Sequence, residues 1–238
     1  MLDQHTLIDH LRYNDLFELF PAHIRASLLH KSQTQAATAG TVLYKTGEAG
    51  TWMGALLAGR VRICVRAYNG REILLNLIER GRTFGETSVF DGLPRHVDAV
   101  ADTDVSFAII TREAFMSVLP NYPDVMQHVI TVLCHRTRLY AQKMELFALQ
   151  DLPTRLAYSL LRLAKKYGQE QEGRMLISAR LNQSDLGQQL AASRESINKN
   201  LKLFADKGLV ALEGQDIALL DVPGLEQIAF HVKEEDAA

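Results

Sequence analysis

The repeat of the apolar residues changes partway along this chain, and that change limits the folds open to it. Val61, Ile63 and Val65 alternate with Arg60, Arg62, Cys64 and Arg66, and Ile73, Leu75 and Leu77 alternate back after Asn69-Gly70. Alternation at every second residue marks a half-buried strand, and Asn-Gly accepts the positive φ angles of a tight two-residue turn, so these residues predict a β-hairpin. Glycines from Gly47 to Gly92 punctuate the surrounding segment as turns, and Val97 to Ile110 alternates again. Short strands with regular turns predict a small barrel or jelly roll. Beyond Thr111, a side chain suited to cap a helix, the repeat becomes three to four, with one short helix expected before Pro120 and Pro123. The same helical spacing in Leu7, Ile8 and Leu11, and then in Leu16, Leu19, Phe20, Ile24 and Leu28, predicts two short helices ahead of the strands.

From about Asp124 to Gln150 nothing interrupts a helix, which at roughly 1.5 Å per residue would be about 40 Å long. Along it Met126, Val129, Leu133, Tyr140, Met144 and Phe147 recur at steps of three and four, with Arg136 in the same row. A stripe of this length calls for a partner. Packing against the chain's own barrel is one answer; a seam between two copies is the expected one, with these six apolar residues as the dimer interface and Arg136 as the sign of a partly wet seam.

Pro153 opens a further helix expected to run through Lys166, and Gly168 to Gly173 reads as a polar loop. The last region reads helix, turn, helix, hairpin. Leu186, Leu190, Ile197 and Leu201 form a shared apolar seam between two helices, and Gly187 lets them cross closely. Ser193 is a natural cap for the second helix, which places Arg194, Glu195, Asn198 and Lys199 on one outward face near its start. That is the end at which a recognition helix meets base edges. Arginine donates two bonds to guanine O6 and N7, and glutamate accepts from cytosine N4. Lys199 would read a base or hold a phosphate. Val210 to Leu212 and Ile217 to Leu219 flank Glu213-Gly214-Gln215-Asp216, the makings of a two-stranded wing, and the tail beyond His231 is expected to fray.

Charge supports this reading. The whole chain carries a formal net charge of -2, but from Arg155 to Glu213 ten cations face six anions, a local excess of +4. The 238 residues, 47% hydrophobic and 23% charged, suit two ordinary globular cores. No apolar run approaches the roughly 18 residues of a membrane span, and the first ten residues lack the pattern of a signal peptide, so a cytoplasmic location and no membrane partner are expected. Cys64 and Cys134 are too far apart in sequence for a zinc or iron-sulfur spacing, and the eight histidines are scattered, with no metal-binding cluster. No GxxxxGK[ST], GxSxG or HExxH occurs, and an enzyme is not expected.

With these residues in hand, the chain resembles the CRP/FNR, or catabolite activator, family of bacterial transcription regulators over about Val42 to Leu219. The likeness is carried by Gly47-Glu48, Gly59, Phe84-Gly85-Glu86 with Arg95 nine residues on, Asp151 with Arg155, and Ser193-Arg194-Glu195. It implies an α+β fold: a cyclic-nucleotide-binding-type β jelly-roll barrel with N-terminal helices over residues 1–120, a dimerisation helix and hinge over 121–152, and a winged helix-turn-helix over 153–238. It further implies a homodimer that regulates transcription from a palindromic duplex with TGTGA-like half-sites, contacts RNA polymerase, and responds to a small effector in the barrel. Ser193, Arg194, Glu195, Asn198, Lys199 and Lys202 would touch DNA, with lysine at 199 where the family usually has arginine. Gly85, Glu86, Thr87, Arg95, His96 and Tyr140 would touch the effector, Glu86 at a ribose hydroxyl and Arg95 at the cyclic phosphate.

Two departures bear on that effector. His96-Val97 stands where the family's cyclic-AMP binders carry a hydroxyl residue and alanine, and Tyr140-Ala141 stands where they carry Thr-Ser. Cyclic AMP, another nucleotide such as cyclic di-GMP, a different small molecule and a sensor needing none are all left open. The rival to the whole reading is a nucleotide-sensing module that acts by protein contact without DNA.

Overall fold

The computed structural model describes residues 14–30, 32–66, 72–171, 173–178, 183–214 and 216–230. The helix expected around Leu7, Ile8 and Leu11, the Asn69-Gly70 turn and the tail from His231 lie outside them. The chain divides into two compact units, one ending at Arg138 and the other starting at Leu139, inside a single helix.

The first unit holds α1 (Ala22–His30), β1 (Gln33–Ala37), β2 (Val42–Tyr44), β3 (Trp52–Ala58), β4 (Arg60–Arg66), β5 (Glu72–Glu79) and β6 (Thr83–Phe84). After these come α2 (Glu86–Asp91), β7 (Asp98–Ala101), β8 (Val105–Thr111), α3 (Arg112–Val118) and the first part of α4 (Pro123–Leu149). The strands form two antiparallel sheets in the orders β1-β8-β3-β6 and β2-β7-β4-β5, an interleaving that gives a jelly roll.

Strand alternation divides the apolar residues between two cores. On β3, Met53, Ala55 and Leu57 join Phe17, Phe20 and Phe115 in a layer between sheet and helices. Leu56 on the same strand, with Val61, Ile63, Phe84 and Phe107, fills the space between the sheets. The expected hairpin is β4 with β5, pairing Arg60 with Glu79 through Arg66 with Glu72. A bulge between Ile63 and Cys64 shifts its alternation, so Cys64 is buried while Val65 and Ile73 are exposed. The expected cap at Thr111 is present, its hydroxyl accepting from the Ala114 amide at 3.2 Å.

The second unit contains the end of α4, then α5 (Leu152–Tyr167), β9 (Gln169–Gln171), β10 (Arg174–Ile177), α6 (Gln183–Gln189), α7 (Arg194–Asp206), β11 (Val210–Glu213), β12 (Asp216–Leu219) and α8 (Val222–Phe230). Its sheet runs β11-β12-β10-β9. The stretch expected as a polar loop is partly strand: Gln169–Gln171 pairs along β10 at the sheet edge. Pairing there is by backbone, which needs no apolar alternation. Leu156, Leu160, Leu186, Ile197, Leu201 and Phe204 close the core against which α7 is seated.

Candidate nucleic-acid interface and effector site

Helices α6 and α7 form the helix-turn-helix, and the turn between them is tight. A Cβ at Gly187 would lie 2.8 Å from the Ala192 carbonyl oxygen, so glycine is what permits the approach. The Ala192 amide donates to the Gly187 carbonyl at 2.8 Å, and Ala191 sits in the left-handed region at φ 50. Ser193 caps α7, its hydroxyl accepting from the Ser196 amide at 3.1 Å. Because Ile197, Leu201 and Phe204 are turned into the core, Arg194, Glu195, Lys199 and Lys202 are left exposed and Asn198 half-buried. The six residues expected to touch DNA thus share the outer side and the start of one capped helix. The hairpin of β11 and β12 follows as the wing, with an ion pair between Arg174 and Glu213 at 2.9 Å.

In the barrel three residues of the expected effector site, Gly85, Glu86 and Arg95, already have partners. The backbone ties Gly47-Glu48 to Arg95: the Gly47 amide donates to the Arg95 carbonyl at 2.7 Å, and the Arg95 amide to the Glu48 carbonyl at 2.8 Å. The Arg95 side chain is buried. Nη1 donates to the Gly85 carbonyl at 2.6 Å, Nη2 donates to the Trp52 carbonyl, and the guanidinium lies 4.1 Å from the Tyr44 ring centroid and 5.1 Å from that of Trp52. A Cβ at Gly85, whose φ is 76, would stand 2.7 Å from Nη1. Burial lowers the Arg95 pKa, opposed by Tyr44, Glu86 and Glu48.

Glu86 is engaged as well. Arg136 donates to its Oε1, and also to Asp15 Oδ2 at 2.7 Å and to the Thr83 hydroxyl at 3.5 Å. Burial disfavours the Arg136 cation, but Glu86 and Asp15 more than offset it and hold the group above its ordinary value. Thr87 and His96 are exposed, and Tyr140 belongs to the second unit. Sequence reasoning missed Tyr44, Trp52 and Asp15. The available signal was Arg136 itself, because a cation within an apolar helical row needs a carboxylate to face.

These features have counterparts. Residues 34–122 match the model of the cyclic nucleotide-binding domain, and residues 154–228 match that of the Crp-like helix-turn-helix domain. A CRP-like cAMP-activated global transcriptional regulator of Mycobacterium tuberculosis is 32% identical over 196 residues, covering 82% of this chain and 88% of that protein. The chain belongs to the CRP/FNR family. As a CRP/FNR protein it is a transcriptional regulator with a helix-turn-helix DNA-binding domain and a cyclic nucleotide-binding domain. A CRP/FNR transcriptional regulator from Thermus thermophilus is 26% identical with a TM-score of 0.66, covering 84% of this chain and 99% of that one. The c-di-GMP-responsive global regulator of Xanthomonas campestris shares the fold at 21% identity and a TM-score of 0.74, covering 84% and 100%.

One expectation for this CRP/FNR regulator needs correction. Val129 is buried in the helical-layer core of its own barrel and so is not free to line a seam, and Leu133, half-buried, packs against the same cluster. Arg136 likewise faces Glu86 and Asp15 of its own chain rather than a wet seam. Phe147 is half-buried, with Arg155 over its ring. The large apolar residues that α4 leaves exposed are Met126, Ile130, Leu139, Tyr140, Met144 and Leu149. Among the described residues, no helix is long and apolar enough to cross a membrane.

Proposed function

We propose that this regulator acts as a homodimer that sets two copies of α7 into successive major grooves of a palindromic duplex, its affinity altered by a cyclic nucleotide in the barrel. The observation that carries the reading is the exposed trio Arg194, Glu195 and Lys199 at the start of a capped helix. Arg194 is assigned to a guanine, Glu195 to a cytosine amino group, and Lys199 to a base or phosphate; Ser193, Asn198 and Lys202 complete the contact surface. A second copy would cover Met126, Ile130, Tyr140 and Met144 on the exposed side of α4.

For the effector, both polar anchors must exchange partners. Arg95 would leave the carbonyls of Gly85 and Trp52 for a cyclic phosphate, and Glu86 would turn from Arg136 to a ribose hydroxyl. One ligand supplies both replacements, with Gly85 and Thr87 beside the ribose and His96 next to the phosphate arginine. Cyclic AMP is favoured over cyclic di-GMP because the relative at 32% identity is named as cAMP-activated.

Calorimetry of the full-length chain with cyclic AMP, cyclic GMP and cyclic di-GMP tests the effector: cyclic AMP should bind, and heat from cyclic di-GMP alone would overturn that choice. A salt titration with duplex DNA tests the rest. Binding that neutralises phosphates weakens steeply as salt rises, whereas a module acting by protein contact alone would show no duplex affinity.

A further inference from the structure

Arg155 stands in the first turn of α5 yet touches two other parts of the second unit. Its Nη1 donates to the Leu190 carbonyl at 2.9 Å, and its guanidinium lies 5.3 Å from the centroid of the Phe147 ring near the end of α4. Its buried Nε has no hydrogen-bond partner among the described residues, so the side chain is placed by that ring and that carbonyl together.

Leu190 is where this placement matters. Its carbonyl lies at the end of α6, where helix carbonyls lack intrahelical partners and favour a cation. The next residue is Ala191 in its left-handed conformation, and Ser193, two further on, caps α7. A single side chain therefore fixes the strained turn from which the DNA-reading helix starts, and fixes it to the last turn of α4.

We propose that Arg155 is a positioning residue for DNA recognition, holding the start of α7 at a set angle by clamping the Leu190 carbonyl against the Phe147 ring. This rests on the reading of α7 as the base-reading helix. Arg155 itself contacts no base. Its loss should blur discrimination between sequences and leave the phosphate-driven, sequence-independent affinity in place. Lysine is a poor substitute, since an ammonium lacks the planar fork that both stacks on a ring and donates sideways.

The test uses the full-length chain and two duplexes, the one that the unaltered chain enriches from a randomised pool and a scrambled duplex of the same composition. Fluorescence anisotropy at one salt concentration, well below the melting temperature, gives the ratio of the two affinities. Arg155→Ala, Arg155→Lys and Phe147→Leu should each lower that ratio about threefold or more while changing affinity for the scrambled duplex less than twofold. The Arg155→Ala/Phe147→Leu double variant should lose no more than the worse single one, because both remove the same clamp. If the unaltered chain discriminates and the Arg155 variants keep its ratio, or if the two losses multiply, the clamp is refuted. An unaltered chain that enriches no duplex refutes the reading of α7 itself, and this role with it.

Discussion

Replacing Arg136 by alanine should cost the sensor unit about 3 kcal/mol. The guanidinium bridges Glu86 and Asp15 with only 17% of its side chain exposed, and the two carboxylates are 11% and 19% exposed. Removing one partner of a buried ion pair costs about 3–5 kcal/mol because it strands the opposite charge. The lower end applies here, since Asp15 keeps Arg82 at 3.4 Å and the Thr83 hydroxyl at 2.9 Å. For a unit of this size, about 4 °C of melting temperature accompanies each kcal/mol, so scanning calorimetry should show the sensor transition falling by roughly 12 °C. Arg136→Lys, whose single ammonium reaches one carboxylate, should fall by about half as much. Adding Glu86→Gln to Arg136→Ala should restore part of the loss, since a neutral amide costs less to bury unpaired than a carboxylate does. A drop under about 3 °C for Arg136→Ala, or no recovery in the double variant, would refute the claim that this bridge ties α4 to the barrel.

Three further outcomes follow from the same geometry. Burial first and Glu72 next push the Cys64 thiol up to about 12, whereas Cys134 is exposed, so iodoacetamide at pH 8 should label Cys134 in the native chain and reach Cys64 only after unfolding. The Cys64 shift is upward from 9.0, so its contribution to stability is complete below the unfolded value and is lost as pH climbs toward 12. Melting temperature should therefore decline less steeply over that window in Cys64→Ala than in the unaltered chain, and equal slopes would contradict the assignment. At Ala191, left-handed backbone costs a β-carbon residue about 1–2 kcal/mol. Glycine avoids that cost but gives back about 0.4–1 kcal/mol in unfolded-state freedom. Urea melts should find Ala191→Gly at least as stable as the parent and Ala191→Val clearly less so; a valine variant as stable as the parent would show that the turn carries no such strain.

What could be read in advance follows the physics of side chains rather than that of the backbone. The β4–β5 hairpin, the Thr111 and Ser193 caps, and the apolar seam through Leu186, Leu190, Ile197 and Leu201 each leave a periodic or local mark. Strands β1 and β9, with sequences Gln-Thr-Gln-Ala-Ala and Gln-Glu-Gln, leave none, because edge strands pair through amides and carbonyls. The bulge at Ile63/Cys64 is equally silent, and it reverses which of Cys64 and Val65 is buried. On α4 the three-to-four spacing was legible, but spacing alone does not say which partner a residue meets. Val129 and Leu133 meet their own barrel, while Met126 and Met144 stay exposed. In the barrel Arg95 and Glu86 are marked only by the family resemblance, through Phe84-Gly85-Glu86 with Arg95 nine residues on. The rings that hold Arg95 come from β2 and β3, far from it in sequence, and only the fold brings them together.

Enrichment of duplexes from a randomised pool by the full-length chain, followed by sequencing, asks most directly what α7 does. Two copies reading successive major grooves on one face of the duplex should recover an inverted repeat whose half-sites lie about one helical turn apart, and Arg194→Ala should relax one guanine in each half at a cost of about 1–3 kcal/mol. Recovery of no preferred sequence, or of a repeat unchanged when Arg194 is removed, would contradict the account.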